Sequence, residues 1–216
     1  MSANGLTIAV PRGALFADSL DLLDLLGIET AAVRDNDRRL LFREAGLITM
    51  RPSDVPTYVA AGAADLGITG KDVLMEQAGA VGGAGRDVYE LLDLGFGRCT
   101  MVLATVEGED PAAEALRRLG VMRIATKYPR VAGAHFEASG RQAEIVEVKG
   151  SVELAPLTGL VEGIVDLTAT GQTLAQNHLV VREEIAVCTA RLIANPVAHK
   201  LKAAAIDDVL ERLRAG

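Results

Sequence analysis

The chain has no tryptophan, and aromatic residues make up only 3% of its 216 positions. A core must therefore be assembled from Ala, Leu, Val and Ile, a composition suited to helices packed closely on sheets. Cysteine is nearly absent too. Cys99 and Cys188 are too few for a disulfide framework or a thiolate metal site, and they read as two reduced core thiols. Basic residues are outnumbered: 22 Lys and Arg face 29 Asp and Glu, a formal charge of −7. A surface of that sign excludes a broad nucleic-acid interface, which needs a basic face. It leaves room for small phosphorylated ligands, which ask only for a few local cations and well-aimed backbone amides. No run of ~18 apolar residues occurs, so nothing is expected to span a membrane. The first residues, Met-Ser-Ala-Asn-Gly, carry no basic segment, and Pro11 and Arg12 interrupt the apolar stretch that follows. An export signal is not expected, and a cytoplasmic location is. The three histidines, His135, His178 and His199, stand in no metal-ligand or catalytic-triad spacing.

What is present is an alternation of strand and helix. Leu6–Val10 is a continuous apolar run, as expected of a strand covered on both faces. Apolar residues recur at helical spacing from about Leu15 to Leu26, and Gly27 supplies a stop. A strand is predicted at Leu47–Met50, then a helix capped by Ser53-Asp54, a short strand at Leu66–Ile68 and a helix over Lys71–Gln77. Gly79–Gly85 reads as a loop. Strands follow at Thr100–Ala104, Arg123–Ala125, Glu144–Val148 and Ile164–Leu167, with helices from Asp110-Pro111 and over Pro129–Ser139. Glu184–Ala194 reads as one long strand and Pro196–Arg214 as one terminal helix. Such repetition predicts an α/β fold with parallel-dominated sheets.

Two segments repeat at a fixed offset. Gly62, Asp65, Leu66, Thr69 and Gly70 match Gly163, Asp166, Leu167, Thr170 and Gly171, each 101 residues on (166 − 65 = 101). Each copy is expected to form a strand, an Asp-Leu pair, a short turn and a helix, which suggests two lobes of similar build. The second copy opens the segment Asp166, Leu167, Thr168, Ala169, Thr170, Gly171, Gln172 and Thr173. A buried strand ending in a small, hydroxylated turn before a helix suits a phosphate, because free N–H groups and the positive end of the helix dipole meet there. The same spacing also suits a plain N-cap on a structural helix.

The stretch from Lys149 to Leu174, Lys-Gly-Ser-Val-Glu-Leu-Ala-Pro-Leu-Thr-Gly-Leu-Val-Glu-Gly-Ile-Val-Asp-Leu-Thr-Ala-Thr-Gly-Gln-Thr-Leu, closely resembles the signature of the ATP phosphoribosyltransferases. Ile8–Gly13, Val55–Tyr58, Asp65–Leu74 and Ile124–Pro129 resemble other parts of the same family. The resemblance implies a two-lobed fold like that of the type II periplasmic solute-binding proteins, with the active site in the cleft. Residues 1–92 plus 179–216 would form one lobe and 93–178 the other. It implies attack of the adenine N1 of ATP on C1 of phosphoribosyl diphosphate, with Mg2+ carried on the substrate and no metal site in the protein. Asp166 would hold the ribose hydroxyls, the residues through Thr173 the 5-phosphate, and Glu153 would line the cleft.

Arg12 and Gly13, in the turn after the first strand, would meet phosphate or pyrophosphate. The family often has a second basic residue two positions past this arginine, where this chain has Ala14; Arg12, Arg38 or Arg39 would cover its role, with Arg38 the preferred substitute. Gly70 and Lys71 would bind ATP from the other lobe. The absence of length for a further C-terminal domain resembles the short form of the family, whose partner is a regulatory subunit similar to histidyl-tRNA synthetase. A solute-binding protein without catalysis is the rival from another class, since it shares the implied fold.

Overall fold

The computed structural model describes residues 5–36, 38–78 and 87–215. Short apolar runs become strands and the segments between them helices: β1 (Ile8–Pro11), α1 (Phe16–Leu25), α2 (Ala31–Arg34), β2 (Leu41–Phe42), β3 (Leu47–Met50), α3 (Val55–Ala60), β4 (Leu66–Gly70), α4 (Lys71–Ala78) and β5 (Tyr89–Asp93). The chain continues through β6 (Cys99–Val106), α5 (Pro111–Leu119), β7 (Met122–Thr126), α6 (Pro129–Ala138), β8 (Ala143–Glu147), α7 (Leu154–Leu157), β9 (Gly163–Thr168), α8 (Gln172–Gln176) and β10 (Leu179–Cys188). It closes with β11 (Ala190–Ala194), α9 (Pro196–Leu201) and α10 (Ala203–Ala215).

These elements divide into two units. Unit 1 comprises Met1–Leu74, Val81–Gly97 and Thr189–Gly216; unit 2 comprises Met75–Ala80 and Arg98–Cys188. Unit 1 carries a sheet in the order β2-β3-β1-β4-β11-β5, and unit 2 a sheet in the order β10-β6-β9-β7-β8. In unit 1, Ile8, Val10, Leu20, Leu23, Leu47, Leu66 and Ile206 form the core on one face of the sheet, while Ala9, Val55, Val59 and Ile193 pack on the other. Unit 2 repeats the arrangement, with Met101, Ile124, Phe136 and Val165 in one cluster and Val102, Ala125, Ile164 and Leu174 in another. Burial on both faces is what the apolar residues of β1, β4, β7 and β9 encode, with Arg123 of β7 the exposed exception.

Close approach governs one glycine. A Cβ at Gly67, in β4, would stand 2.6 Å from Val55 Cγ1 and 2.7 Å from Val59 Cγ2, so α3 lies on β4 only because that position has no side chain.

The sheets are mixed, against the expectation of parallel dominance. Parallel pairs join β1 to β3 and β4, and β7 to β8 and β9. The returning β10 and β11, the β6–β9 pair and the edge strand β2 are antiparallel. The long strand expected over Glu184–Ala194 is two strands in different sheets, broken at Thr189: β10 pairs with β6 of unit 2 and β11 with β4 of unit 1. The division between the units therefore falls after Cys188, ten residues beyond the boundary drawn from the family resemblance. A run of strand-forming residues does not show where the chain changes sheets.

The terminal helix is likewise interrupted at Lys202. That residue's N–H closes α9 on Ala198 O, and its carbonyl receives Ala205 N–H and Ile206 N–H to open α10. Ser53-Asp54 makes no side-chain cap; a 3-10 turn over Pro52–Asp54 leads into α3 instead. The Gly79–Gly85 loop lies outside the described residues.

The internal repeat matches at its helix starts, Lys71 and Gln172, but not in its strands. Asp65 precedes β4, where its carboxylate accepts Thr7 N–H and pairs with Lys202 at 2.7 Å. Asp166 sits near the opposite, C-terminal end of β9. The first copy also has no turn, since β4 runs directly into α4.

Candidate functional site

β9 is the central strand of unit 2, and its sequence Gly-Ile-Val-Asp-Leu-Thr ends at the edge where its parallel neighbour β7, and β8 beyond it, also end. Gly163 allows the strand to lie tight against β6: a Cβ there would come 3.2 Å from Ala104 O and 3.2 Å from Ile124 Cδ1. Three residues on, the Asp166 carboxylate is buried, at 5% residue exposure. Its Oδ1 accepts Leu167 N–H at 2.8 Å and lies 3.2 Å from Lys127 Nζ.

Lys127 arrives there through strand register. Thr126 of β7 pairs with Val165, which places the next residue beside Asp166. Thr126 Oγ1 donates to Val165 O at 2.6 Å and accepts Tyr128 N–H at 2.9 Å, shaping the turn that presents the lysine. Burial pushes the Asp166 carboxyl above its ordinary value of 3.8; Lys127 and the Leu167 N–H pull the other way, and nearby Glu153 adds to the rise. Burial prevails because the Lys127 side chain is 41% exposed and its attraction is screened by solvent. Asp166 is thus a buried carboxylate with room to accept further hydrogen bonds.

Beyond Thr168 the backbone turns through Ala169 and Thr170 to Gly171, whose φ of +76° is left-handed. Thr168 Oγ1 accepts Gly171 N–H at 2.9 Å, and Thr170 Oγ1 accepts Gln172 N–H at 3.4 Å. Each hydroxyl keeps its own hydrogen to donate. Gly171, at the N-cap position of helix α8, has no side chain to contribute, and Thr170 Oγ1 instead receives the helix's first N–H, so a local capping role for Thr170 stands beside the ligand-binding one. A concavity of about 160 Å3 is lined by Glu153 and by Asp166 through Leu174. Glu153 is held at its rim by its neighbour: Val152 is buried in the core, and the chain before it bends at Ser151, a non-glycine residue at φ +48°. Unit 2 thus brings together Glu153, Asp166, Leu167, Thr168, Ala169, Thr170, Gly171, Gln172 and Thr173. Lys127, at the strand-to-helix turn after β7, joins them through the parallel register of β7 on β9.

The remaining residues lie in unit 1. Arg12 follows β1, and its guanidinium is held in place: Nε donates to Thr49 Oγ1 at 3.0 Å, Nη2 donates to Arg39 O at 2.9 Å, and Cζ stands 5.3 Å from the Phe16 ring centroid. It borders a concavity of about 610 Å3 together with Leu41, Met50, Asp54 and Tyr58. Gly13 and Arg38 are exposed nearby in sequence or contact: the loop carrying Arg38 is the one whose Arg39 carbonyl Arg12 grips. Arg38 N–H and Arg39 N–H both donate to Asn36 Oδ1, which fixes that turn.

Gly70 and Lys71 lie at the end of β4, a parallel neighbour of β1, and so at the same edge of the sheet. Lys71 Nζ is already engaged by Glu90 at 2.7 Å. Among the described residues, no group of three or more His, Cys, Asp or Glu could hold a metal ion. Nor is any helix long and apolar enough to cross a membrane.

Comparison with known proteins accords with this geometry. The family model of HisG, ATP phosphoribosyltransferase, matches residues 51–215. The ATP phosphoribosyltransferase of Rubrobacter xylanophilus is 52% identical over 209 residues, covering 95% of this chain and 94% of its own. Among solved structures, the ATP phosphoribosyl transferase (HisG:HisZ) complex from Thermotoga maritima aligns at a TM-score of 0.78 and 32% identity, over 97% of each chain. A putative periplasmic sulfonate-binding protein, SsuA from Methylobacillus flagellatus, aligns at a TM-score of 0.61 and 14% identity, covering 97% of this chain and 67% of that one; it shares the two-lobed α/β fold alone. By sequence over nearly its whole length and by fold, this chain belongs to the ATP phosphoribosyltransferase family.

Proposed function

We propose that this chain transfers the phosphoribosyl group of phosphoribosyl diphosphate to N1 of ATP, releasing pyrophosphate, in the first step of histidine biosynthesis. The observation that carries the reading is the buried Asp166 carboxylate near the end of β9, lining one concavity with the hydroxylated turn that opens α8, in a chain of this family. Asp166 accepts hydrogen bonds from the ribose 2- and 3-hydroxyls. The amides and hydroxyls from Thr168 to Thr173 surround the 5-phosphate, with Gly171 allowing close approach. Glu153 lines the same concavity and orients the ribose.

The displacement at C1 builds positive charge on the sugar and negative charge on the departing pyrophosphate. It needs alignment and charge stabilisation more than covalent help. That accounts for a site without a nucleophile–base pair. Arg12, already oriented by Thr49 and the Arg39 carbonyl, supplies the cation for phosphate or pyrophosphate, and Arg38 on the adjoining turn substitutes for the basic residue that Ala14 lacks. Gly70 and Lys71 contribute to ATP binding, with Lys71 exchanging Glu90 for a phosphate oxygen. Mg2+ carried on the diphosphate would spread its charge.

The partner is a regulatory subunit of the HisZ type, as in the Thermotoga maritima complex. With ATP and phosphoribosyl diphosphate as substrates, the enzyme works in the cytoplasm. Incubation with both substrates, Mg2+ and pyrophosphatase, with and without that partner, is expected to raise the ultraviolet absorbance of the N1 adduct. Absence of adduct under both conditions would contradict the proposal.

A further inference from the structure

Cys99 and Cys188 lie far apart in the chain but directly opposite one another in the β6–β10 ladder. The register there is continuous. Ala186 faces Met101, Val187 faces Thr100 and Cys188 faces Cys99, and the irregularities of β10 all fall before Ala186. Opposed residues of an antiparallel pair project to the same face of the sheet. Their Cα atoms stand about 4.5–5.5 Å apart, within the span of about 4.4–6.8 Å found in disulfides. Their Cβ atoms, about 4.5–5.5 Å apart, need to close by about 1 Å to reach the distance a bridge requires. Neither cysteine is in a disulfide, and their exposure differs: Cys99 is half-buried, Cys188 only 1% exposed.

We infer that Cys99 and Cys188 form a redox-active dithiol, which closes to a cross-strand disulfide by exchange with a low-molecular-weight disulfide. The accessible Cys99 thiolate attacks one sulfur of the small disulfide, whose S–S bond breaks and releases the first small thiol. The product is a mixed disulfide on Cys99. Cys188 then attacks the Cys99 sulfur, and the second small thiol departs with the proton that Cys188 gives up. The two protein thiols lose two electrons and two protons, and the small disulfide gains them.

Cys99 is the second residue of the long segment of unit 2, and Cys188 is its last. The bridge therefore encloses β9 and the loop through Thr173 within one covalent ring, whose unfolded form is restricted by the long closed loop. This inference is independent of the assigned reaction.

Treating the full chain with oxidised glutathione at mildly alkaline pH, followed by intact-mass and peptide analysis, tests it. The expected result is loss of two hydrogens with no glutathione retained, and a peptide joining Cys99 to Cys188 that reduction separates. Cys188→Ser is expected to stop at a glutathione adduct on Cys99, and Cys99→Ser to take up none. A wild-type chain that keeps the adduct, links to a second chain, or stays unmodified overturns the inference.

Discussion

At the scale of single residues, Asp166 places binding and stability in opposition. Its folded-state pKa is raised by burial. Its contribution to stability is therefore fully present below the ordinary value of 3.8 and is lost as pH rises through the folded value. At neutral pH the ionised carboxylate is a cost to the fold, and a ligand that donates hydroxyls relieves it. Asp166→Asn should accordingly leave the thermal midpoint at neutral pH unchanged or higher, while kcat/KM for phosphoribosyl diphosphate falls about 10- to 100-fold, the worth of hydrogen bonds to a charged group.

Lowering the pH should depress kcat/KM for the wild type as Asp166 becomes protonated, with an inflection above 3.8 that the Asn variant lacks. A pH–rate comparison of the two proteins checks the sign. Lys127 shows what strand register adds: its place at a strand-to-helix turn is readable in the sequence, its contact with Asp166 is not. The strand, Asp166 and the small turn were legible because they are local, whereas the lysine reaches Asp166 only through the pairing of Thr126 with Val165.

At the scale of elements, a few positions hold strands and helices together. Gly67→Ala should destabilise unit 1 by about 1–3 kcal/mol, because the added Cβ meets Val55 and Val59 closer than any van der Waals contact. Denaturant unfolding measures it.

Asn195 is buried and serves two elements at once. Its Oδ1 accepts the N–H groups of Val197 and Ala198 at the start of α9, and its Nδ2 donates to Val59 O and Ala60 O at the end of α3. Asn195→Ala removes a cap and leaves buried carbonyls unmet. A loss of about 2–3 kcal/mol is expected, read in the same unfolding experiment.

Runs of Val, Ile and Leu announced β1, β4, β7 and β9 because strands buried on both faces need them. The break at Thr189 was hidden because strand-forming residues flank it on both sides, Ile185–Cys188 before it and Ala190–Ala194 after it. The repeat at Asp65 and Asp166 was a true likeness of helix starts and a misleading one of strand ends, because identical residue types serve opposite ends of β4 and β9.

At the scale of the molecule, two units with mixed sheets support a fold shared by transferases of this family and by periplasmic binding proteins. Fold alone does not choose between catalysis and simple binding. The choice rests on family membership and on the loop after β9, proposed above as the phosphate and sugar site.

Its most direct test is a crystal structure of the chain with phosphoribosyl diphosphate and Mg2+, in complex with its regulatory partner where one is required. The account predicts the ribose hydroxyls on Asp166 and the 5-phosphate against the backbone of Thr170–Thr173. A sugar phosphate bound elsewhere, with this loop making no contact to it, would contradict the account.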